Sequence, residues 1–358
     1  MTEAFQGNGL ATLIGSLPLA DHGKALDLIW EHTPEIPLWA QLPAHPEEGM
    51  MVQFSDGMPG LSEDNGNVVV NTQSGTFDDQ LLEFYEDYMA VVDGKIDLEA
   101  SRFVLKEDTS RGFFDLLKRL SEFPATPIAI KGQITGPFTL GTGIVDQNRQ
   151  AIFYDLQLRD AVVKLLALKA SWQVRQLLRY QHPVLIFVDE PGLAGFGSSE
   201  FTSVSRDDIS QCLEEIFEAV HMEGGLVGVH VCANTDWSLV LDSSADIVSF
   251  DAYAYFDRFI LYPEKIKHFI DSGKILAWGV VPTFNPEDID RETIESIWDR
   301  WQVQTKQVEA LGIEKQKLIN QSLITPSCGM GSLGLDSAEK VIRLTRAVSR
   351  KVRKLFTK

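Results

Sequence analysis

The stretch "PVLIFVDEP" (residues 183–191) is a short apolar run that ends in two acidic residues and a proline. It follows "LQLRDAVVKLLALKASWQVRQLLRY" (156–180), in which apolar residues recur at the three- and four-residue spacing of an amphipathic helix. A strand that follows such a helix is typical of βαβ units and hence of a parallel sheet. This stretch therefore predicts an α/β fold.

Similar apolar runs recur along the chain, mostly alternating with helix-period segments such as 207–222. With 183–191, the candidate strands are 11–18 ("ATLIGSLP"), 36–43 ("IPLWAQLP"), 127–137 ("PIAIKGQITGP"), 225–232 ("GLVGVHVC"), 246–253 ("DIVSFDAY"), 274–282 ("KILAWGVVP") and 317–329 ("KLINQSLITPSCG"). Eight repeats favour a single (β/α)8 TIM barrel over residues 1–358 rather than an open doubly wound sheet. No Gly-x-Gly-x-x-Gly follows the first run and no Walker pattern occurs, which weakens a nucleotide-binding alternative.

Residues 44–126 interrupt this alternation. Turn signals such as "SDGMPG" (55–60) flank short β-like runs, and a segment with a helical sequence pattern follows from about residue 78. We interpret this segment as an insertion after the second strand that folds over the barrel mouth. The segment 337–358 predicts a final amphipathic helix that carries eight basic residues.

Composition limits the class of protein. The chain has 358 residues, of which 44% are hydrophobic and 23% charged, as in ordinary globular proteins. Its 51 acidic residues against 32 basic ones give a net charge of −19, which argues against a nucleic-acid partner. We find neither a signal-peptide pattern nor an apolar run long enough to span a membrane. Three cysteines are too few for a disulfide framework, so we predict a reduced, cytoplasmic protein.

Potential metal ligands stand at the ends of three candidate strands. His230 and Cys232 lie two positions apart on one strand and would point the same way, while Asp251 and Cys328 end two other strands. Active sites of such barrels lie at the carboxyl ends of the strands, and thiolates with an imidazole suit zinc. On spacing alone, the alternative is a buried cysteine that packs beside a hydrogen-bonded histidine.

The chain resembles the catalytic C-terminal barrel of cobalamin-independent methionine synthase. That family belongs to a superfamily that includes uroporphyrinogen decarboxylase and corrinoid-linked methyltransferases. The resemblance is carried, in collinear order, by "IGSLP" (14–18), "KGQITGP" (131–137), "VDEPGL" (188–193), "HVC" (230–232), "DIVSFD" (246–251) and "PSCGMGSL" (326–333). These motifs span most of the chain outside residues 44–126.

The resemblance implies a zinc-dependent transfer of a methyl group onto a thiol, most simply homocysteine to give methionine. It implies zinc held by His230, Cys232 and Cys328. Asp251 stands where the family usually has a glutamate as fourth ligand, so either it binds zinc or the site has three protein ligands. It further implies that backbone groups around Ile14, Gly15 and Ser16 hold the substrate carboxylate, and that Asp189 faces its ammonium group.

The chain also departs from the family. The stretch "GVVPTFNPEDID" (279–290) has no histidine where folate-using members place one to protonate the leaving group. Residues 44–126 offer no counterpart of the glutamate that helps bind the substrate ammonium. We therefore predict that the methyl donor is a methylated corrinoid rather than methyl-tetrahydrofolate. The final basic helix is one place where a corrinoid protein would dock. Another thiol remains open as the acceptor.

Two rival functions differ in their chemistry. A metal-free decarboxylase of the uroporphyrinogen type would need arginines around the mouth, and the strand ends have almost none. A non-catalytic zinc or ligand-binding barrel is the second rival. Structural zinc ligands usually lie close together in sequence, whereas these are about a hundred residues apart.

Overall fold

The computed structural model describes residues 5–64, 66–122, 127–198, 201 and 203–355. Within them the strands are β1 (Leu10–Ala11), β2 (Leu61–Asp64), β3 (Asn67–Val70), β4 (Ile130–Thr135), β5 (Val145–Asp146), β6 (Val184–Asp189), β7 (Leu226–Val231), β8 (Ile247–Phe250), β9 (Ile275–Val281) and β10 (Ser322–Pro326).

The α-helices of the same residues are α1 (His22–His32), α2 (Val52–Ser55), α3 (Phe77–Val92), α4 (Arg111–Glu122), α5 (Pro137–Gly143), α6 (Leu156–Leu178), α7 (Arg206–Met222), α8 (Trp237–Leu241), α9 (Phe256–Phe259), α10 (Pro263–Asp271), α11 (Pro286–Arg291), α12 (Ile294–Glu309), α13 (Lys315–Asn320) and α14 (Leu335–Arg353). Short 3-10 helices occupy Pro46–Glu48, Leu98–Ala100, Ile152–Tyr154 and Pro191–Gly195.

The main sheet of the described chain has seven strands, all parallel, in the order β1-β10-β9-β8-β7-β6-β4. Helices connect most neighbouring strands, and the sheet curls around an inner face. The α/β prediction and the parallel sheet are confirmed. Six of the eight candidate strands form strands of four or more residues, whereas the first candidate contributes only the end of the two-residue β1.

The candidate strand 36–43 is not a regular strand. It makes isolated parallel bridges at Leu38, to Lys131 on β4, and at Gln41, to Ser16. Pro37 has no N–H to donate, which interrupts a regular ladder. Side chains bind part of its backbone instead, since Gln133 Nε2 donates to the carbonyl of Trp39 at 2.9 Å. The segment thus contacts β4, at one edge of the seven-stranded sheet, and the chain that follows β1, at the other edge, without extending the ladder.

The alternation of side chains along each strand divides the core in two. On β6, Ile186 and Val188 belong to the large cluster between sheet and helices, whereas Leu185 and Phe187 belong to a separate inner cluster. The inner cluster draws on the other strands as well: Leu10, Ile36, Ala129, Ile247, Ile275, Ala277 and Leu323. Further along the strands, inward positions become polar, beginning with Asp189 and His230, so polar groups collect at the carboxyl ends of the sheet.

Residues 44–126 form α2, the β2–β3 hairpin, α3 and α4, although residues 65 and 123–126 lie outside the described residues. The hairpin continues into a second sheet through β5, in the order β2-β3-β5. The start of the segment is tied to the main sheet, because Thr135 Oγ1, at the end of β4, donates to the carbonyl of Met50 at 2.9 Å. Helix α4 packs against α1.

The final predicted helix corresponds to α14, and residues 356–358 lie outside the described part. Within the described part of the chain, no helix has the length and apolar character needed to cross a bilayer.

Candidate metal centre

Three of the predicted ligands meet at the carboxyl ends of β7 and β10. His230 lies on β7, Cys232 follows that strand directly, and Cys328 comes two residues after β10. One ligand atom from each side chain lies within 4.8 Å of the other two. All three cysteines of the chain are free thiols, so Cys232 and Cys328 do not form a disulfide. The sequence prediction that these distant residues converge matches the geometry.

The orientation of His230 leaves one ring nitrogen available. Its Nδ1 lies 3.0 Å from Oγ of Ser249 on the neighbouring strand β8. Its Nε2 is buried and has no hydrogen-bond partner within the described structure. When Nδ1–H donates to the serine, Nε2 keeps its lone pair, which is the state that binds metals. A buried unpartnered nitrogen beside two thiols fits a zinc site.

The thiols of Cys232 and Cys328 are hydrogen-bonded to each other, so the pKa of each depends on the other. A hydrogen bond from the thiol of Cys328 is the largest influence on Cys232 and lowers the pKa of Cys232 below its ordinary value. The same contact, together with burial, raises the pKa of Cys328. The pair therefore holds one negative charge more readily than two.

Asp189 lies beside His230, with which it pairs in the sheet register. Its Oδ1 is buried without a partner in the described structure. Burial raises the pKa of Asp189 to about 6, and the positive charge of Lys131 partly opposes this. An unpartnered acceptor in this position has the chemistry to bind a cationic group, but its contact with a substrate ammonium stays a prediction.

Asp251 follows β8 and is separate from the group of three ligands. Its Oδ1 accepts a hydrogen bond from the backbone N–H of Ala254 at 2.8 Å, so the side chain caps the turn that follows. Burial raises the pKa of Asp251 to about 7. In the described residues, the metal-ligating group within 4.8 Å contains His230, Cys232 and Cys328 without Asp251. Its role as fourth ligand stays a prediction.

The segment Ile14–Ser16 packs against the loop that follows Cys328. Ser16 Oγ accepts from the N–H of Gly331 at 3.1 Å, and its carbonyl accepts from Met330 at 2.9 Å. A Cβ on Gly329 would lie 2.2 Å from Ser16 Oγ, so any larger residue would displace the Ser16 hydroxyl from this position. Two motifs that are more than 300 residues apart in the chain thus fix each other. The binding of a substrate carboxylate by residues 14–16 remains untested.

Sequence reasoning missed Lys131, Gln133 and Ser249, which surround these groups. Lys131 is fully buried, its Nζ donates to the carbonyl of Ile14 at 2.5 Å, and it lies 4.6 Å from the centre of the Phe187 ring. Burial lowers the pKa of Lys131 to about 8. The available signal was the alternation in "KGQIT", where polar residues occupy every second position of an otherwise apolar strand.

Glu190 has a structural role that its neighbour Asp189 lacks. Its two carboxylate oxygens accept from the backbone N–H groups of Phe138 and Thr139 at 2.9 and 2.8 Å, and from Thr139 Oγ1 at 2.5 Å. These bonds tie the end of β6 to the start of α5. The carboxyl group of Glu190 therefore anchors a helix instead of facing the metal ligands.

No family model and no curated protein matches the chain. Among solved structures, the chain is similar to a B12-independent methionine synthase from Shewanella sp. W3-18-1, at 18% identity, with 68% of this chain and 67% of that chain covered and a TM-score of 0.48. A Listeria monocytogenes protein assigned as a vitamin-B12-independent methionine synthase gives 13% identity, 64% and 68% coverage and a TM-score of 0.43.

A Bacteroides thetaiotaomicron protein assigned as an α-L-fucosidase also matches, at 13% identity, with 97% and 96% coverage and a TM-score of 0.35. Likenesses this distant do not assign a family. The function is therefore inferred from the residues of this chain.

Proposed function

We propose that the protein is a zinc-dependent methyltransferase that moves a methyl group onto a thiol, most simply homocysteine to give methionine. The observation that carries this proposal is the meeting of His230, Cys232 and Cys328 within 4.8 Å, with His230 Nε2 unpartnered. Three protein ligands leave a coordination position for a substrate, as in catalytic zinc sites.

In this proposal His230 Nε2 and the sulfurs of Cys232 and Cys328 hold the metal, and Ser249 fixes the ring of His230. Zinc held there would lower the pKa of an incoming thiol, so that the sulfur is deprotonated and nucleophilic at neutral pH. Asp251 either completes the ligand set or continues to cap its turn.

The remaining residues orient the amino-acid part of the acceptor. Backbone groups of Ile14, Gly15 and Ser16 hold its carboxylate, and Asp189 accepts from its ammonium group. Lys131 supports this arrangement, because its Nζ donates a hydrogen bond to the carbonyl of Ile14. Held in this way, the sulfur attacks the methyl carbon of the donor, and the demethylated donor is the leaving group. The sulfur–carbon bond forms, the electron pair of the broken bond stays on the donor, and the thiol proton passes to solvent.

A methylated corrinoid is the donor that we favour over methyl-tetrahydrofolate. The support comes from the loop after β9, which has no histidine to protonate a folate leaving group. The thiols that this chemistry needs are free, which suits the reduced cytoplasm.

We further propose that segment 36–43 completes an eight-stranded (β/α)8 barrel, with residues 44–126 over its mouth. The bridge of Leu38 to β4, the bridge of Gln41 to Ser16 in the chain that follows β1, and the place of Ile36 in the inner cluster support closure. The contact between Thr135 and Met50 at the end of β4 supports the position of the insertion.

Zinc content of the purified protein and of two cysteine variants tests the site. We expect a full equivalent of zinc in the wild type and a large loss in Cys328→Ser, because one of three ligands is removed. Cys212→Ser is the matched control: Cys212 is buried on α7, outside the metal-ligating group of the described residues. Zinc loss confined to Cys328→Ser supports the site, and full retention in that variant would remove Cys328 from it.

Turnover then tests the reaction. Homocysteine is offered with methylcobalamin and, separately, with methyl-tetrahydrofolate, and the products are identified by mass spectrometry. Methionine formed from methylcobalamin supports the proposal. Efficient methylation from the folate alone would contradict the corrinoid donor, and zinc-loaded protein that methylates no thiol from either donor would contradict the function.

A further inference from the structure

A surface cavity of about 380 Å³ lies between the end of α1 and one face of α14. Its lining residues are Glu31, His32, Arg343, Arg346, Ala347 and Arg350. The three arginines stand at positions i, i+3 and i+7 of α14, so they share one face of the helix. The cavity therefore collects guanidinium groups on a protein whose net charge is −19.

The positive charge of this cavity is largely without counterions. Most arginines of the described chain pair with carboxylate groups. Arg346 and Arg350 are exceptions, because neither has a carboxylate oxygen within 4.0 Å in the part of the chain that the structure describes. Arg346 is half-buried, and Arg343 has one partner, Glu339, at 3.2 Å. A half-buried charge without a counterion favours the binding of an anion.

His32 supplies an independent observation in the same cavity. Its side chain is only 12% exposed, and its Nδ1 is buried without a hydrogen-bond partner among the described residues. Burial lowers the pKa of His32 below its ordinary value, and the positive charges of Arg346 and Arg343 act in the same direction. Buried ring nitrogens normally have a partner. An anion in the cavity would provide one and would stabilise the protonated ring, which donates from both nitrogens.

The cavity is separate from the candidate metal centre. His32 is the last residue of α1 and directly precedes the start of segment 36–43, and Arg353, one turn beyond Arg350, pairs with Glu35. The cavity thus lies towards the amino ends of the strands. The candidate metal ligands lie at the carboxyl ends, so a ligand bound between α1 and α14 does not depend on the proposed methyl transfer.

The surroundings favour a small anion over an acidic protein. Glu31 lines the cavity with its side chain 72% exposed, and Glu339 borders Arg343. These carboxylates would repel an acidic surface laid across α14, whereas a small oxyanion can enter between them. Arginine forks match the oxygens of a phosphoryl group in bidentate geometry. The volume of the cavity also suits a small molecule.

We propose that the cavity between α1 and α14 binds the phosphoryl group of a small molecule. Arg346 and Arg350 bind its oxygens, Arg343 adds positive charge, and His32 donates from Nδ1. Inorganic phosphate and a phosphate monoester share this chemistry, and the two probes below distinguish them.

Calorimetric titration tests the proposal. Inorganic phosphate and, separately, glycerol 2-phosphate are titrated into the full-length, zinc-loaded protein. We expect one equivalent to bind, Arg346→Ala to weaken binding about tenfold or more, and Arg346→Lys to weaken it less, because lysine keeps the charge but loses the fork. Binding of both probes would show that the phosphoryl group suffices, and binding of the ester alone would show that its organic part is also recognised. Zinc content should be the same in all variants.

Arg258→Ala is the matched control. Arg258 is an exposed arginine on α9 that also forms no ion pair within the described residues, and it lies outside the cavity. Its loss should leave the binding of both probes unchanged. Equal weakening in Arg258→Ala and Arg346→Ala would indicate general charge attraction and would overturn the site, as would failure of both probes to bind the wild type.

Two further readouts locate the ligand. The imidazole NMR signals of His32 should shift when the bound probe is added, and unchanged signals would contradict its place in the site. A polyglutamate peptide should bind no more tightly than the phosphate probes. Binding of that peptide through Arg346, without binding of either probe, would assign the face to an acidic protein and reject the proposal.

Discussion

Ser249 determines which ring nitrogen of His230 faces the two cysteines. Its Oγ lies 3.0 Å from Nδ1, whereas Nε2 is buried and has no partner in the described structure. Hydrogen bonds of this kind to metal-binding histidines fix the tautomer and orient the ring. In the proposed metal site, Ser249 would therefore orient His230 without being a ligand itself.

We expect Ser249→Ala to weaken zinc binding by about tenfold to a hundredfold, because the ring of His230 loses the hydrogen bond that holds Nδ1. Competition with a chromophoric chelator measures this affinity. Ser171→Ala is the control, since Ser171 is a buried serine on α6 that donates to the carbonyl of Ala219. Equal zinc affinity in Ser249→Ala and the wild type would show that Ser249 does not position the histidine.

At the scale of single residues, the sequence predicted the meeting of His230, Cys232 and Cys328 better than the residues that surround them. His230, Cys232 and Cys328 could be found because cysteine and histidine are rare and stand at strand ends, where side chains alternate with period two. Ser249 and Lys131 could not be assigned, because serine is common and a buried lysine is visible only when its neighbours are known. Asp251 was predicted as a possible fourth ligand because it ends a strand. In the structure its side chain caps the turn that follows, and its role as a ligand stays a prediction.

Among the elements, α5 depends on a buried carboxyl group. Glu190 binds the first backbone N–H groups of this helix, and burial raises the pKa of Glu190 to about 7 from an ordinary value of 4.5. Because the folded protein holds this proton more tightly than the unfolded chain, the contribution of Glu190 to stability is greatest below about pH 4.5 and decreases as the pH rises through about 7.

We expect the unfolding free energy of the zinc-free wild type to decrease between pH 5 and pH 8, with Glu190 contributing on the order of 3 kcal/mol. Glu190→Gln should show a smaller decrease, because the amide does not titrate, although it accepts fewer hydrogen bonds from α5. Urea denaturation at both pH values measures the difference. Identical pH dependence in the two proteins would mean that Glu190 does not carry this effect.

At the scale of elements, apolar runs in the sequence predict most strands of the main sheet but not the structure of segment 36–43. The runs that form β6, β7, β8 and β9 are mainly apolar, that of β4 alternates polar and apolar residues, none of these five strands contains a proline, and all were predicted correctly. Segment 36–43 has the same composition, but Pro37 prevents a regular ladder and side chains such as Gln133 bind its backbone instead. The pairing of Ile14–Ser16 with the loop after Cys328 depends on tertiary contact, and nothing local in either motif reveals it.

For the whole molecule, the position of the basic helix limits how a donor protein can approach. Ser349 on α14 donates to the carbonyl of Gly9, and Arg353 pairs with Glu35, so the basic end of α14 lies at the amino ends of the strands. The candidate metal ligands His230, Cys232 and Cys328 lie at the carboxyl ends. This argues against the basic end of α14 as the docking surface for a methyl donor.

The most direct test of the metal site is the zinc X-ray absorption spectrum of the purified, zinc-loaded protein, recorded with and without homocysteine. Without the thiol, we expect a coordination shell that contains two sulfur atoms and one imidazole nitrogen from the protein. Addition of homocysteine should add a further sulfur. A shell of nitrogen and oxygen alone, unchanged by the thiol, would contradict the assignment of His230, Cys232 and Cys328 as the site at which the thiol is activated.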